Sequence, residues 1–248
     1  MKISIIGGGN MGQAFARGLS GRDFALTVSD PDINKIKYLE DWGIITTDHN
    51  ADAVDEAEIV IIAVKPNMVQ EVLNGLNFKD GVLLISIAAG ITIDQIEEWS
   101  SIKKIVRVMP NTPSLIEKGM SGWCTSKEVT DEEKLAIQQL LGTIGDEVEV
   151  MDEDLIDVVT AISGSGPAYV FYFLEAMVEQ AEDLGLDKEI AEKLAVKTFI
   201  GSAALAEASQ EDFDVLRDRV TSKGGTTEAA LNVMEENKIK DNFKKAID

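Results

Sequence analysis

Cysteine and histidine are almost absent from this chain, whose 248 residues include one of each, Cys124 and His49. A single cysteine excludes an internal disulfide and a multi-cysteine metal site, so we expect no bound metal and a reducing compartment. We expect Cys124 to be a small buried apolar residue. His49 lies far from the C-terminal half, and we expect it at the surface or at a helix cap rather than in catalysis.

Positive charge is also scarce, with 23 Lys and Arg against 44 Asp and Glu, a net charge of −21. No cluster of Lys and Arg is present, which argues against a nucleic-acid partner. No apolar run approaches the length that spans a bilayer, and no basic or apolar leader precedes the first predicted strand at residue 2. We therefore expect a cytoplasmic protein with neither a membrane nor a nucleic-acid partner.

Glycine is concentrated directly after that first strand, Lys2–Ile6. A GxGxxG pattern between a strand and a helix predicts a dinucleotide-binding turn. Its first glycine allows the tight turn, the second removes a side chain that would block a pyrophosphate, and the third lets the helix pack on the strand. The predicted cofactor-binding residues here are Gly7, Gly8, Gly9, Asn10, Met11 and Gly12.

An acidic residue ends the second predicted strand, which runs from Phe24 to Asp30. In this fold such an acid binds the adenosine ribose hydroxyls. Asp30 followed by Pro31 is equally typical of a helix N-cap with proline at the first helical position. The two roles are compatible, and both stay open at this point.

The rest of the chain predicts two domains. Strands alternate with helices as far as residue 151, which indicates an α/β fold with a doubly wound, Rossmann-type parallel sheet. From residue 152 the pattern is helical. We therefore predict a dinucleotide-binding domain at residues 1–151 and an all-helical substrate-binding and dimerisation domain at residues 152–248. The further predicted strands are a short strand after Gly43, 59–64, 82–87, 105–109, 119–126 and 147–150. The predicted helices are a stretch through Tyr38 and Leu39, 92–99, 131–141, 169–184, 188–208 and 228–236.

Small residues recur at helical spacing in the predicted helix 188–208, at Gly201, Ala204 and Ala208. Such a stripe permits close contact between helices. Fewer than about a hundred residues of apolar helix do not easily cover their own surface. We therefore expect a homo-oligomer, at least a dimer, that forms through this domain.

Several segments together resemble the pyrroline-5-carboxylate reductase family, and the resemblance covers nearly the whole chain. The segments are 6–12, 63–66, 109–113, 163–169 and 221–227. The last two are the most specific to the family. The resemblance implies hydride transfer from NAD(P)H to the imine carbon of 1-pyrroline-5-carboxylate, which gives L-proline, the last step of proline biosynthesis.

The resemblance also implies further cofactor contacts at the carboxyl ends of the strands, where open parallel sheets bind ligands. The less favoured alternative for residues 87–89 is a plain strand end without a ligand. Ser29, beside Asp30, completes the set of cofactor candidates. These candidates are Ser29, Asp30, Asn50, Ala63, Val64, Lys65, Pro66, Ile87, Ala88 and Ala89.

Substrate binding in this family belongs to the loop that reads Ser222, Lys223, Gly224, Gly225, Thr226 and Thr227 here. Paired glycines before a helix can form a nest of amides for the substrate carboxylate. The Thr227 hydroxyl can bond the ring nitrogen or the carboxylate, with water as the final proton source, so Thr227 is the catalytic candidate. Without the resemblance, a helix N-cap at Thr226 or Thr227 would be favoured. Most members have proline at the position of Lys223, and many have cysteine at that of Thr221.

The carboxylate of Asp30 indicates a preference for NADH, because it would repel the 2′-phosphate of NADPH. Two other functions remain as alternatives. Another small dehydrogenase would need a lysine or histidine acid–base group in the helical domain, where the lysines are spaced like a solvated face. A non-catalytic dinucleotide-sensing protein would have no need of the substrate loop.

Overall fold

The structure, a computed structural model, describes all residues from Met1 to Asp248. The chain divides into two compact units, Met1–Pro167 and Ala168–Asp248. The first unit contains every strand, and the second is helical. An α/β region followed by an all-helical region agrees with the predicted fold class. The functional boundary at residues 151 and 152 stays a prediction.

The first unit is built on one eight-stranded sheet with the strand order β3-β2-β1-β4-β5-β6-β7-β8. The strands are β1 (Lys2–Ile6), β2 (Ala25–Ser29), β3 (Ile45–Thr47), β4 (Ile59–Ile62), β5 (Leu83–Ser86), β6 (Ile105–Met109), β7 (Gly119–Thr125) and β8 (Gly145–Glu149). The first six are mutually parallel, as predicted for a doubly wound sheet.

The last two strands depart from the purely parallel arrangement. β7 pairs antiparallel with β6, with Val108 opposite Trp123, and β8 runs parallel to β7. Between β6 and β7 the chain has only a short 3₁₀ helix, Thr112–Ile116. A parallel connection needs a crossover of about a dozen residues, so this link is too short to return the chain to the other end of the sheet.

Six helices belong to the first unit: α1 (Asn10–Leu19), α2 (Asn50–Val54), α3 (Val69–Asn74), α4 (Ile93–Ser100), α5 (Asp131–Leu141) and α6 (Leu155–Val159). Capping boxes begin α4 and α5, where Thr92 pairs with Gln95 and Thr130 with Glu133. Each box satisfies two amides at the start of its helix. α5 has the predicted bounds, and α4 begins and ends one residue later than predicted.

The helix predicted after Asp30 is instead two short 3₁₀ helices, Ile33–Lys35 and Lys37–Trp42. Between them Ile36 is fully buried, with φ at −116° and ψ at −11°. This side chain packs against Gly8, since a Cβ added to Gly8 would lie 2.1 Å from its Cγ2. We therefore attribute the break between the two 3₁₀ helices to the burial of Ile36 under the glycine turn.

The core of the first unit covers both faces of the sheet. In β4, Ile59 and Ile61 belong to the cluster on one face, while Val60 and Ile62 belong to the other. All four are at most 3% exposed. This alternation confirms the prediction of a central strand buried on both sides.

The second unit consists of helices whose apolar side chains are mostly exposed. Its helices are α7 (Gly166–Asp183), α8 (Lys188–Ala208), α9 (Phe213–Arg219), α10 (Thr226–Glu236) and α11 (Ile239–Ile247). Only Ala191 and Ala195 are buried there, whereas Tyr172 is 69% and Phe213 77% exposed. The stripe of Gly201, Ala204 and Ala208 is exposed as well. None of the helices combines the length and the apolar composition that spanning a bilayer requires.

Candidate active site

The glycine turn after β1 has the geometry that its sequence predicts. Gly7 has φ of +107°, and a Cβ there would lie 2.6 Å from the carbonyl oxygen of Ala63. Its amide donates to the carbonyl of Ser29 at 2.8 Å, and the Ala63 amide donates to the carbonyl of Ile6 at 2.8 Å. These hydrogen bonds join the carboxyl ends of β1, β2 and β4 around a backbone position that only glycine can occupy.

The other two glycines of the pattern meet very different surroundings. A Cβ at Gly12 would lie 1.9 Å from the carbonyl oxygen of Gly7, so α1 packs directly on the turn. A Cβ at Gly9 would meet nothing within 4 Å. Gly9 is the N-cap of α1 and has no side-chain acceptor, which leaves the first amides of the helix free. Open space in front of free helix amides fits a cofactor pyrophosphate.

Asp30 is largely buried, at 8% exposure, and bonds to two backbone amides. Its Oδ2 accepts from the amide of Gly8 at 2.9 Å, and its Oδ1 accepts from the amide of Asp32 at 2.9 Å. The Lys35 ammonium lies 3.8 Å from Oδ1. The alternative of a helix N-cap at Asp30 is wrong, because the following 3₁₀ helix begins at Ile33 with Asp32 as its N-cap. The Asp30 side chain instead fastens the glycine turn to the end of β2.

Ser29 and Asn50, both cofactor candidates, form a hydrogen-bonded pair. The fully buried Ser29 hydroxyl donates to Oδ1 of Asn50 at 2.6 Å. Asn50 is the first residue of α2. Because its carbonyl oxygen is engaged by Ser29, the NH₂ group of Asn50 is the part of the amide that remains for a ligand.

The remaining cofactor candidates lie where β4 and β5 end. Lys65 is exposed and precedes a 3₁₀ helix that begins at Pro66, while Val64 is half-buried. The Ile87 amide donates to the carbonyl of Ile62 at 3.1 Å, which carries the edge of the sheet one residue past β5. Ala88 is buried and Ala89 exposed. The strands β1, β4 and β5 are adjacent in the sheet, so these candidates lie together at the carboxyl ends of the strands.

The predicted substrate loop lies in the second unit and leads into α10. Gly224 has φ of +74°, and its amide donates to Oε2 of Glu228 at 2.7 Å. The Gly225 amide donates to the carbonyl of Ser222 at 2.9 Å. The two glycine amides are therefore used within the loop. The donors that remain for a carboxylate belong to the first turn of the helix.

The N-cap of α10 is Gly225, and it has no side-chain acceptor. Thr226 and Thr227 are the first two residues of the helix, so the alternative that one of them is the cap is wrong. Thr227 is half-buried, and Lys223 is exposed.

The two residues that composition singled out take no part in these sites. Cys124 is buried, and burial raises the pKa of its thiol to about 12, which makes it unreactive at neutral pH. His49 precedes α2, with a side chain that is 73% exposed and 3.8 Å from Asp48. Both expectations, a buried small residue and a surface histidine, are confirmed.

Sequence reasoning missed a buried cation on β6. The Arg107 guanidinium is 4% exposed and pairs with Glu153 at 3.0 Å and Asp157 at 2.9 Å. It also missed Gln13 and Tyr38, whose side chains bond to each other beside the glycine turn. The signal for Arg107 was a charged residue inside an otherwise apolar strand. Gln13 and Tyr38 carried no signal in the sequence.

Two protein-family models match this chain, one at each end. The pyrroline-5-carboxylate reductase dimerisation family matches residues 153–248, and the family of NADP oxidoreductase, coenzyme F420-dependent, matches residues 2–90. A curated pyrroline-5-carboxylate reductase from Haemophilus influenzae is 41% identical over 241 residues, which cover 94% of this chain and 89% of the relative.

Solved structures give the same result. The pyrroline-5-carboxylate reductase of Coxiella burnetii has a TM-score of 0.90 and 37% identity, over 99% of this chain and 94% of that one. Plasmodium falciparum pyrroline carboxylate reductase with NADP bound has a TM-score of 0.89 and 32% identity, over 100% and 94%. The chain therefore belongs to the pyrroline-5-carboxylate reductase family of NAD(P)-dependent oxidoreductases.

Proposed function

We propose that this protein reduces 1-pyrroline-5-carboxylate to L-proline, with a reduced nicotinamide supplying the hydride to the imine carbon while the ring nitrogen takes up a proton. The observation that carries the proposal is 41% identity to a pyrroline-5-carboxylate reductase along 94% of the chain. The purified protein should oxidise NADH or NADPH only when the imine is present. Absence of imine-dependent turnover with both cofactors would overturn it.

The cofactor residues of this proposal are those at the edge of the sheet described above. The amides that begin α1 face the pyrophosphate, and Asp30 and Asn50 face the adenosine. Asp30 uses two of its roughly four acceptor positions on backbone amides, so it can still accept from ribose hydroxyls.

NADH is the preferred cofactor in this proposal. A 2′-phosphate would meet the Asp30 carboxylate, with Asp32 close by and Lys35 as the cation that pairs with both. Two like charges about 4 Å apart near a protein surface repel by about 4 kcal/mol before salt screening. Lys35 and salt screening reduce this repulsion. A tenfold preference for NADH requires that only about 1.4 kcal/mol of it remain. The bound NADP of the Plasmodium relative shows only that this relative accepts a 2′-phosphate.

The test of cofactor choice is the ratio of kcat/KM for NADH to that for NADPH. Asp30→Ser should lower the ratio by about tenfold or more, whereas Asp32→Ser, which leaves the Asp30 bonds in place, should change it less. The ratio is the proper readout, because loss of the bond to Gly8 weakens both cofactors alike. A wild type that prefers NADPH, or a ratio that Asp30→Ser leaves unchanged, would mean that Asp30 only fastens the turn.

The substrate-binding part of the proposal is the loop of Ser222, Gly224, Gly225, Thr226 and Thr227. Because the glycine amides bond within the loop, the first-turn amides of α10 are the donors for the substrate carboxylate. The Thr227 hydroxyl orients the ring nitrogen or the carboxylate, and water supplies the final proton.

Thr227→Ala should lower kcat/KM for the imine by about tenfold to a hundredfold, the value of one hydrogen bond to a charged group. Thr227→Ser keeps the hydroxyl and should retain most of the activity. The Kd for the cofactor should be nearly unchanged in both variants. Equal activity of the Ala and Ser variants would remove Thr227 from the mechanism.

We further propose a homodimer, or a multiple of it, formed by residues 152–248. Its support is the exposed apolar surface of α7 to α11 and the match of residues 153–248 to a dimerisation family. Static light scattering at micromolar concentration should report at least twice the monomer mass of 26.9 kDa. A monomer would refute this assembly.

A further inference from the structure

The middle glycine of the turn, Gly8, is held by side chains on both of its polar groups. Its amide donates to Asp30 at 2.9 Å, and its carbonyl oxygen accepts from Nε2 of Gln13 at 2.7 Å. The Gln13 side chain is in turn fixed, because its Oε1 accepts from the Tyr38 hydroxyl at 2.8 Å. Gln13 belongs to α1, and Tyr38 belongs to the 3₁₀ helix Lys37–Trp42.

Tyr38 is itself held by an aromatic neighbour. Its ring meets that of Trp42 edge to face, with the centroids 5.5 Å apart and the planes at 88°. The guanidinium carbon of Arg17 lies 5.7 Å from the centre of the Trp42 ring. A ring supported in this way loses little further freedom when its hydroxyl bonds Gln13, although Tyr38 is 41% exposed.

The hydrogen bond from Gln13 to the Gly8 carbonyl also fixes the direction of the next amide, that of Gly9. The carbonyl of Gly8 and the amide of Gly9 belong to one trans peptide unit, so they point in opposite directions. When Gln13 holds the carbonyl, the Gly9 N–H is aimed away from Gln13. Gly9 is also the residue whose missing side chain leaves open space in front of α1.

The geometry points to Tyr38 as a positioning residue that acts through Gln13 to aim the Gly9 amide at the cofactor pyrophosphate. This inference rests on the proposed use of the glycine turn for the cofactor. Because NADH and NADPH share the pyrophosphate, the pair contributes equally to both, whereas Asp30 distinguishes between them.

The experiment is a fluorescence titration of NADH and of NADPH without substrate, on the full-length protein. Tyr38→Phe keeps the ring and removes the hydroxyl, and it should raise both Kd values about threefold to tenfold, the value of one neutral hydrogen bond. Gln13→Ala should raise them at least as much. The double variant should match Gln13→Ala alone, because Tyr38 acts only through Gln13.

Thr46→Val is the control, because it removes a hydroxyl that bonds Glu40 of the same 3₁₀ helix without touching Gln13, and it should leave both Kd values unchanged. Three results would each overturn the inference. The first is an unchanged Kd in Tyr38→Phe. The second is additive effects in the double variant. The third is a changed ratio of NADH to NADPH affinity, which would place Tyr38 in contact with the adenosine. The titration contains no imine, so a failure of imine reduction does not enter its result.

Discussion

Two glycine-to-alanine substitutions three residues apart should damage different properties of the protein. Gly9 has φ of −72° and ψ of −176°, which alanine adopts freely, and its Cβ would stand in open space. Gly12 would place its Cβ 1.9 Å from the carbonyl oxygen of Gly7, inside the packed contact of α1 on the turn. We therefore expect Gly9→Ala to damage cofactor binding alone and Gly12→Ala to damage the fold.

The magnitudes follow from these contacts. For Gly9→Ala the unfolding free energy should change by less than about 0.5 kcal/mol, because alanine restricts the unfolded chain but is a poorer helix N-cap than glycine. The new methyl group would displace the pyrophosphate from at least one amide, which costs about 2 kcal/mol or about 30-fold in cofactor Kd.

For Gly12→Ala, overpacking costs about 3 kcal/mol, and the better helix propensity of alanine offsets about 1 kcal/mol. The net loss of about 2 kcal/mol corresponds to a Tm lower by about 4–8 °C.

Thermal unfolding followed by circular dichroism and fluorescence titration with NADH measure the two effects separately. A Gly9→Ala variant that binds NADH like the wild type would show that the pyrophosphate does not approach this residue. An unchanged Tm in Gly12→Ala would show that α1 moves away from the turn without cost, contrary to the close contact on which the argument depends.

Three further predictions concern charges. Arg107→Met should lower the unfolding free energy by about 3 kcal/mol in urea titrations, because it leaves the partly buried carboxylate of Glu153 without its buried cation. A loss below about 1 kcal/mol would contradict this. Partial burial raises the pKa of Glu133, but hydrogen bonds from Lys104 and from the helix cap outweigh it and hold the pKa below its usual range. Its stabilisation is therefore present above about pH 4.3 and lost as the pH falls through the folded-state pKa, so Glu133→Gln should flatten the acid limb of urea-unfolding stability. Glu228→Ala should raise KM for the imine with little change in kcat, because the Gly224 amide loses its partner. Glu228→Gln keeps an acceptor and should restore most of the affinity. A lowered KM in Glu228→Ala would mean that Glu228 competes with the substrate.

Elements with both a periodic pattern and a local end signal were readable from the sequence. β6 and α5 have the predicted boundaries, 105–109 and 131–141, and α5 begins with a capping box. The direction of β7 was not readable, because hydrophobic alternation is the same in parallel and antiparallel strands. The short helices α9 and α11 were missed, since each spans too few turns to establish a pattern.

Within the candidate site, sequence reasoning succeeded where the backbone itself sets the requirement. Gly7 and Gly12 are glycine because a Cβ would strike main-chain atoms, and spacing alone predicts this. The partners of Asp30 and the pair of Gln13 and Tyr38 depend on how the 3₁₀ helices after β2 pack over the turn. That packing is set by the burial of Ile36, a tertiary event with no periodic signature.

The substrate loop belongs to a unit that buries few of its own side chains. Apart from Ala191 and Ala195, no residue of α7 to α11 is buried, although these helices carry many large apolar side chains. Hydrophobic burial is the main force that holds helices together, and in this unit most of the apolar surface is exposed in the single chain. If the proposed dimer forms, the order of the loop from Ser222 to Thr227 depends on helices that the partner subunit stabilises. Assembly and substrate binding are then linked through α10, and dilution below the dimer dissociation constant weakens both together.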